Sequence, residues 1–399
     1  MTILQINATY GLGSTGNIVR DIKHCCEDNG IRCYVAYQKT AEKDAGYKIG
    51  NCISKYLHSF LCRLEGKEAY YSSIATRKLL HYIEDLQPDI VHLHNLHNHY
   101  INLNLLLDYL AKSKIKTVIT MHDCWFYTGG CFHYANADCL RWQHECGKCP
   151  LRYQATPAYL YDASSKVLFD RKSHLSAIDN LTVVGASKWI ADEAKKSFLS
   201  SKNVCYIHNG FNLSVFKPTN SDIRQKFGLM NKQVILGPTA KWLDKINQPT
   251  LNHFISQMNQ NQVLVLFGPG KVNQPLPTNV IIYGYTNSKD ELAQLYSMAD
   301  VFVNCSREDT LSSINLEAQA CGTPVITYDA TGSKETVCDG SGFAVSTGDY
   351  QSLWDKTNEI LLNGKTTYTN QCRTFIEQEF ELSKNYYKYI ELYKSLMNE

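Results

Sequence analysis

No apolar run in the 399-residue chain approaches the ~18 residues that a membrane-spanning helix needs. The first ten residues, MTILQINATY, carry no basic segment and no long apolar stretch, so a secretory leader is not expected and the chain is read as cytoplasmic. Charge of one sign is also lacking. Forty Lys and Arg against 38 Asp and Glu leave a net charge of +2, which excludes a general nucleic-acid binder. There is no internal repeat and no low-complexity linker. Nor is there an Asp-x-Asp pair, so a diphosphate held on a metal by such a motif is unsupported. Cysteine, by contrast, is plentiful. Its count of 15 is odd, which argues against a disulfide framework in a chain without a leader. With 44% hydrophobic and 20% charged residues the composition is that of a globular protein. At roughly 150 residues per domain, the length suggests two domains.

The chain opens with an apolar strand, Ile3 to Ile6, and a loop carrying Gly11, Gly13 and Gly16. A helix and a second strand, Cys33–Tyr37, follow. Further short strands alternate with helical stretches: 89–94, 117–121, 181–184 and 204–208, then from about residue 230 a second series at 234–236, 263–267, 280–283, 301–304 and 324–327. Such alternation predicts α/β architecture: two doubly wound, Rossmann-like domains, 1–212 and 213–380, followed by a helical segment, 381–399. Ligands of these sheets sit beyond the carboxyl ends of the strands, which two facing domains place across a cleft.

The segment 306–326 is the most informative. A strand delivers the acidic loop Ser306-Arg-Glu-Asp309, and a helix is expected from about Leu311. Ser312 and Ser313 then lie in its first turn, where unpaired N–H groups attract anions such as phosphate. Asp309 and Glu317 are eight positions apart, and a carboxylate here suits the vicinal hydroxyls of a sugar. The alternative is a capped surface helix with two solvated acids.

Asp309-x7-Glu317 followed by Ala318-Gln-Ala-Cys-Gly-Thr-Pro-Val325 resembles the donor-site signature of the retaining glycosyltransferases of family 4, of GT-B fold. Other motifs are similar in order along the chain. They are Ile207-His-Asn-Gly-Phe-Asn-Leu-Ser-Val-Phe-Lys-Pro218 between the domains, Gly284-Tyr285 through Asp300, and Val91-His-Leu-His-Asn-Leu-His97 with Thr120-Met-His-Asp-Cys-Trp125. The last two resemble the branch that builds bacterial surface polysaccharides. The resemblance implies that Glu317 holds the nucleotide ribose, that Asp309 and His122 stand at the donor sugar as the catalytic pair of positions, and that Tyr285 lies against the base. The alternatives are a core histidine for His122 and a packed loop tyrosine for Tyr285. Where the family shows Lys-Gly at the start of the second domain, this chain has Lys241-Trp-Leu-Asp-Lys245-Ile-Asn. Lys241 and Lys245 are therefore the cations expected at the diphosphate. The Gly-rich loop, through Gly13, Thr15 and Gly16, together with His97, is expected at the phosphates or acceptor.

Three features need no family. Cys131, Cys139, Cys146 and Cys149 crowd one stretch, and Cys146-Gly-Lys-Cys149 has zinc-knuckle spacing. A structural zinc is one reading, and four packed or free thiols the other. Eight of the 13 His fall between residues 81 and 144 and are read as hydrogen-bonding groups on the acceptor side. Lys55 to Ile83 mixes Lys55, Arg63, Lys67, Arg77 and Lys78 with apolar residues, which suits either a surface helix pair or an anionic lipid surface. The expected activity is transfer of a sugar, with retention, from a nucleoside-diphosphate sugar to a glycan on a lipid diphosphate at the inner membrane face, with no catalytic cofactor. A nucleotide-sugar epimerase of the same shape and a non-catalytic relative are the alternatives. An NAD-linked dehydrogenase is disfavoured because no carboxylate ends the second strand: Tyr37-Gln38 stands there.

Overall fold

The computed structural model describes residues 1–43, 45–154, 158–272 and 275–398. Glu399, at the end of the expected C-terminal helical segment, lies outside the described residues. The chain divides into two compact units. One comprises Met1–Asn209 with the segment from Ser383 onward, the other Gly210–Leu382.

The first unit contains β1 (Thr2–Tyr10), β2 (Arg32–Thr40), β3 (Tyr47–Lys48), β4 (Ile90–Leu93), β5 (Lys116–Met121), β6 (Leu181–Gly185) and β7 (Asn203–Tyr206), in the order β3-β2-β1-β4-β5-β6-β7. The second contains β8 (Gln233–Pro238), β9 (Gln262–Phe267), β10 (Val280–Gly284), β11 (Val301–Asn304), β12 (Val325–Tyr328) and β13 (Gly342–Val345), in the order β10-β9-β8-β11-β12-β13. Every strand pairing described is parallel. Helices cover both faces of such sheets, so the central strands are buried throughout, as in β4, β11 and β12. Each order reverses direction once, between β1 and β4 and between β8 and β11. These are the switch points at which doubly wound sheets open a crevice for ligands.

The strands depart from the sequence reading in two ways. β3 and β13 were not anticipated: one has two residues, and the other begins on a glycine. β1 also runs four residues beyond Ile6, through the polar Asn7 and Thr9. Asn7 stays buried there because its amide is satisfied: Nδ2 donates to the Thr9 carbonyl at 2.7 Å, and Oδ1 accepts from the Asn95 N–H at 3.0 Å.

The helix Leu382–Asn398 belongs to the first unit from Ser383. Its buried residues Tyr386, Tyr389, Ile390, Tyr393 and Leu396 recur at helical spacing. Two of the tyrosines carry polar tips into the sheet. The Tyr393 hydroxyl lies 2.6 Å from His92 Nδ1, and the Tyr389 hydroxyl 2.9 Å from Thr120 Oγ1.

Candidate active site

In the second unit, the loops that follow β8 and β11 meet at the switch point. After β8 the chain makes a short helix, Thr239–Trp242, and a 3-10 turn, Lys245–Asn247. Trp242 is fully buried and donates its indole N–H to the Val303 carbonyl of β11 at 3.0 Å. A Cβ at position 237 would stand 2.0 Å from that indole nitrogen, so only glycine lets β8 pass beneath it. Asn247 then joins the two loops. Its Nδ2 donates to the Lys241 carbonyl at 3.0 Å and to the Cys305 carbonyl at 2.9 Å, and its Oδ1 accepts from Arg307 Nε at 3.0 Å. Sequence reasoning missed this residue. Its one signal was an asparagine two places beyond Lys245, where the family's Lys-Gly is broken.

The loop after β11 is equally ordered. Asn304 Nδ2 donates to Ser312 Oγ and to Asn315 Oδ1, both at 3.0 Å, and its Oδ1 accepts from the Ser306 N–H at 3.0 Å. The helix begins at Ser313 rather than Leu311. Ser312 is its N-cap, buried, with its hydroxyl engaged by Asn304, while Ser313 is exposed. Asp309 is held through its backbone: its N–H donates to Thr331 Oγ1 at 2.8 Å, and its carbonyl accepts from the Gly332 N–H at 2.9 Å. Thr331 adopts a left-handed φ of 53°, uncommon for a branched side chain and of the kind that clusters at functional sites.

Glu317 lies one turn from the end of this helix and accepts a hydrogen bond from the Tyr296 hydroxyl at 2.9 Å. Burial pushes its carboxyl up to about 7, although Tyr296 and the charge of Lys289 act to lower it. Lys241 is half-buried and Lys245 exposed. Tyr285 is 74% exposed just past the edge strand β10, two strands from β8.

In the first unit, the Gly-rich loop follows β1 at the other switch point. Gly11 and Gly13 have left-handed φ values of 65° and 69°. The helix starts at Gly13, placing Thr15 and Gly16 in its first turn. A Cβ on Gly16 would come within 2.7 Å of Thr9 Oγ1. The sequence reading found no carboxylate at the end of β2, but the fold brings one to this loop. Glu42 lies against Gly11, where a Cβ would meet its Oε1 at 2.2 Å. That argument against a dinucleotide site therefore does not hold.

His122 follows β5 directly and is half-buried. Its Nε2 lies 3.2 Å from His94 Nδ1. Burial pushes it down to about 4, the Asp123 charge acting the other way, so it is neutral at pH 7. His97 pairs with Asp123 at 3.1 Å. Burial opposes its charge, but the Asp123 hydrogen bond and charge outweigh this and raise it. The histidine-rich stretch does not all line an acceptor surface. His92 lies on β4 and His94 one residue past its end, and both are fully buried, with ring centroids 4.0 Å apart. Their polar atoms are satisfied within the unit by Tyr393, Thr120 and Gln5, which is why they can stay there.

The four cysteines of the long loop line one small cavity with Tyr134, Trp142 and Ser164. The neighbouring Cys149, together with burial, pushes the Cys131 thiol up. Among the described residues no group of three or more His, Cys, Asp or Glu side chains is gathered as metal ligands.

Comparison with known proteins decides what these paired switch points belong to. The family described as "Glycosyltransferase Family 4" matches residues 15–215, half of the chain, and "Glycosyl transferases group 1" matches residues 251–380. The chain belongs to glycosyltransferase family 4. Among its curated relatives, the putative colanic acid biosynthesis glycosyl transferase WcaC of Escherichia coli (strain K12) is 25% identical over 268 residues, covering 65% of this chain and 64% of the relative. The capsular polysaccharide biosynthesis glycosyltransferase CapM of Staphylococcus aureus is 24% identical over 206 residues, 48% of this chain and 54% of the relative. The chain thus spans less than two thirds of the length of these two relatives. Among solved structures, sucrose-phosphate synthase of Thermosynechococcus elongatus aligns with a TM-score of 0.67 at 16% identity, covering 100% of this chain and 99% of that one. Anabaena Alr3699/HepE in complex with UDP-glucose aligns with a TM-score of 0.64 at 16% identity, covering 99% and 100%. The fold of this chain is accordingly of the GT-B class, with two Rossmann-like units. No helix among its described residues is long and apolar enough to cross a membrane.

Proposed function

We propose that the protein transfers a sugar, with retention of anomeric configuration, from a nucleoside-diphosphate sugar to a glycan acceptor carried on a lipid diphosphate, in the synthesis of a bacterial surface polysaccharide. The observation that carries this reading is the switch point of the second unit. There a carboxylate on a helix, an acidic loop and two lysines lie on the loops after β8 and β11. The names of WcaC and CapM support the polysaccharide setting, and the UDP-glucose complex of HepE supports the donor class.

Glu317 accepts hydrogen bonds from the ribose hydroxyls, and Asp309 and His122 contact the donor sugar. Ser312 and Ser313 bring the start of their helix to the phosphates, and Tyr285 lies against the base. Gly13, Thr15, Gly16 and His97 face the phosphates or the acceptor. The diphosphate leaves with its charge stabilised by Lys241 and Lys245, and the acceptor attacks from the same face, so no protein nucleophile is needed. Catalysis is positioning and charge stabilisation. A panel of nucleotide sugars, assayed for released nucleoside diphosphate with and without acceptor, tests the reading. Epimerised donor, or binding without release, would replace it with one of the two alternatives.

A carboxyl near 7 makes nucleotide binding pH-dependent. The ionised form accepts from two hydroxyls, so affinity for the free nucleoside diphosphate should rise between pH 6 and pH 8. Glu317→Gln should abolish that rise and weaken binding by about 1.5–3 kcal/mol, the value of a charge-assisted hydrogen bond. Titration calorimetry at the two pH values checks both. An unchanged affinity in the folded variant would remove Glu317 from the site.

The contact with the membrane is carried by the helix Cys52–Glu65. It exposes Ile53 (79%), Tyr56 (76%), Leu57 and Phe60 (60%) at i, i+3, i+4 and i+7, an apolar stripe left uncovered by the described residues of its unit. Lys55 and Arg63 lie on the same helix, and Lys67, Arg77 and Lys78 follow. Lys55 is turned away to Gln38, at 3.2 Å, so it is the exposed Arg63, Arg77 and Lys78 that would meet an anionic lipid surface beside the apolar stripe. The protein should sediment with vesicles containing phosphatidylglycerol and not with neutral ones, and Tyr56→Ser/Phe60→Ser should lower that binding several-fold.

The cysteine loop takes a structural zinc. Its four thiols share one cavity, where Cys131 holds the Cys149 thiol below its ordinary range while burial pushes Cys146 up to about 11 against the Arg171 charge. Side-chain rotation is needed to bring the sulfurs together around a metal. Elemental analysis should find about one zinc per chain, and a chelator should lower the melting temperature of the protein. Metal-free protein of unchanged stability would leave four ordinary thiols.

A further inference from the structure

A buried chain of side chains ends at His122, and its chemistry allows only one arrangement of protons. It starts at Gln5, fully buried on β1. Gln5 Nε2 lies 3.0 Å from the Val19 carbonyl and 3.3 Å from Cys33 Sγ. A carbonyl oxygen can only accept, so the amide orientation is settled and Gln5 Oε1 faces the other way. That oxygen lies 3.0 Å from His94 Nε2. An amide oxygen also only accepts, so His94 carries its proton on Nε2. Burial, and the neighbouring rings of His92 and His122, keep His94 neutral. Its Nδ1 is therefore a bare acceptor, and the atom 3.2 Å away, His122 Nε2, must donate to it. The two rings lie 17° from parallel with centroids 5.5 Å apart. A neutral His122 with its proton on Nε2 has none on Nδ1. Among the described residues no hydrogen bond to that Nδ1 is present.

We propose that Gln5 and His94 are positioning residues that fix the tautomer of His122, so that the imidazole at the carboxyl end of β5 meets its ligand through an unprotonated Nδ1. Such a nitrogen accepts a hydrogen bond from a hydroxyl and offers nothing to a phosphate or carboxylate oxygen. On the reading of His122 as a donor-sugar contact, on which this rests, the group at that point is a neutral sugar hydroxyl, and a sugar carrying a carboxylate there is refused. The selectivity originates on β1, two residues deep in the fold from any ligand.

The test is nitrogen-15 spectroscopy of the imidazoles in the full chain at pH 7.5. His122 should be a single Nε2–H tautomer, with a scalar coupling across the hydrogen bond from its Nε2 to His94 Nδ1. A proton on His122 Nδ1, or an absent coupling with His122 exchanging between tautomers, would overturn the proposal. In Gln5→Met, which keeps the volume and removes the acceptor, His94 loses its register, so the coupling should vanish and His122 should become a mixture. A retained coupling in the folded variant would show that Gln5 is a packing residue only. Adding a nucleotide sugar that is turned over should move the His122 Nδ1 resonance and leave its Nε2–H in place. If the tautomer and coupling are as stated and the resonance does not move, the proton register stands and it is the placement of His122 at the donor that fails.

Discussion

Replacing both lysines of the loop after β8, as Lys241→Ala/Lys245→Ala, should cut sugar transfer about 10²–10³-fold while leaving the fold intact. That is the usual cost of removing an electrostatic partner from a charge that develops in the transition state. Two negative phosphate groups must be stabilised as the glycosidic bond breaks. The N-terminus of the helix Ser313–Ala320 supplies only partial charges, and the Ser312 hydroxyl is already engaged by Asn304. Arg307 is the nearest rival. Its Nε is bound to Asn247 Oδ1 and its Nη2 donates to the Ile246 carbonyl at 3.3 Å, so its fork is turned toward the lysine loop. Steady-state transfer, with nucleotide binding as the control for folding, checks the expectation. A double variant at the wild-type rate would assign the role to Arg307, and Arg307→Ala would then carry the loss.

The first unit should lose stability steeply in mild acid, and well before the second. His58, His92 and His94 are all buried. Burial holds His58 down to about 3, with the His99 charge adding to it. Burial and the His122 charge hold His92 to about 3, and His94 lies well below its ordinary value. The folded pKa values are lower than the unfolded value of about 6.5, so between pH 6.5 and 3 the unfolded chain binds protons that the folded unit refuses. Stability is therefore full above pH 6.5 and falls as the pH drops toward 3. Each group contributes about 1.4 kcal/mol per pH unit, and three contribute about 4. Against a stability of about 5–15 kcal/mol, the unit should unfold between about pH 5 and pH 3. Glu317, in the second unit, works with the opposite sign, because its raised pKa lets the folded state take up a proton as the pH falls through 7. Urea unfolding at pH 7.5, 6 and 5, followed by a probe in each unit, should show the first transition falling and the second holding or rising. Parallel movement of both would contradict the neutral, buried state of these histidines.

The strands and the acidic loop were legible in the sequence because their signals are local. β-branched runs mark β8, β9 and β11, and Asp309, Glu317 and the following Ala-Cys-Gly-Thr-Pro belong to one continuous segment. What was not legible depends on residues far apart in the chain. Asn247 joins two loops 58 residues apart, and its one local signal, the broken Lys-Gly, does not name its partner. His92 and His94 looked like surface groups because their partners lie elsewhere: Tyr393 is 301 residues away, Gln5 is 89. Glu42 stands two residues beyond the strand end at which a ribose carboxylate was sought, and only the fold shows it resting on Gly11. Polar residues inside a sheet are readable only with their partners, and parallel sheets draw those partners from distant segments.

The tyrosines of the last helix also bear on the order in which the chain acquires structure. Tyr389 and Tyr393 complete the polar interior of β4 and β5, yet Tyr393 is made 301 residues after His92 and Tyr389 269 after Thr120. At a synthesis rate of about 5–20 residues per second, His92 waits roughly 15–60 s for its partner. During that time the whole of Gly210–Leu382 emerges, and it contains all the strands of its own sheet. The unit that comes second in the sequence can therefore be finished first, and the amino-terminal unit closes only once the helix Leu382–Asn398 has been added to it.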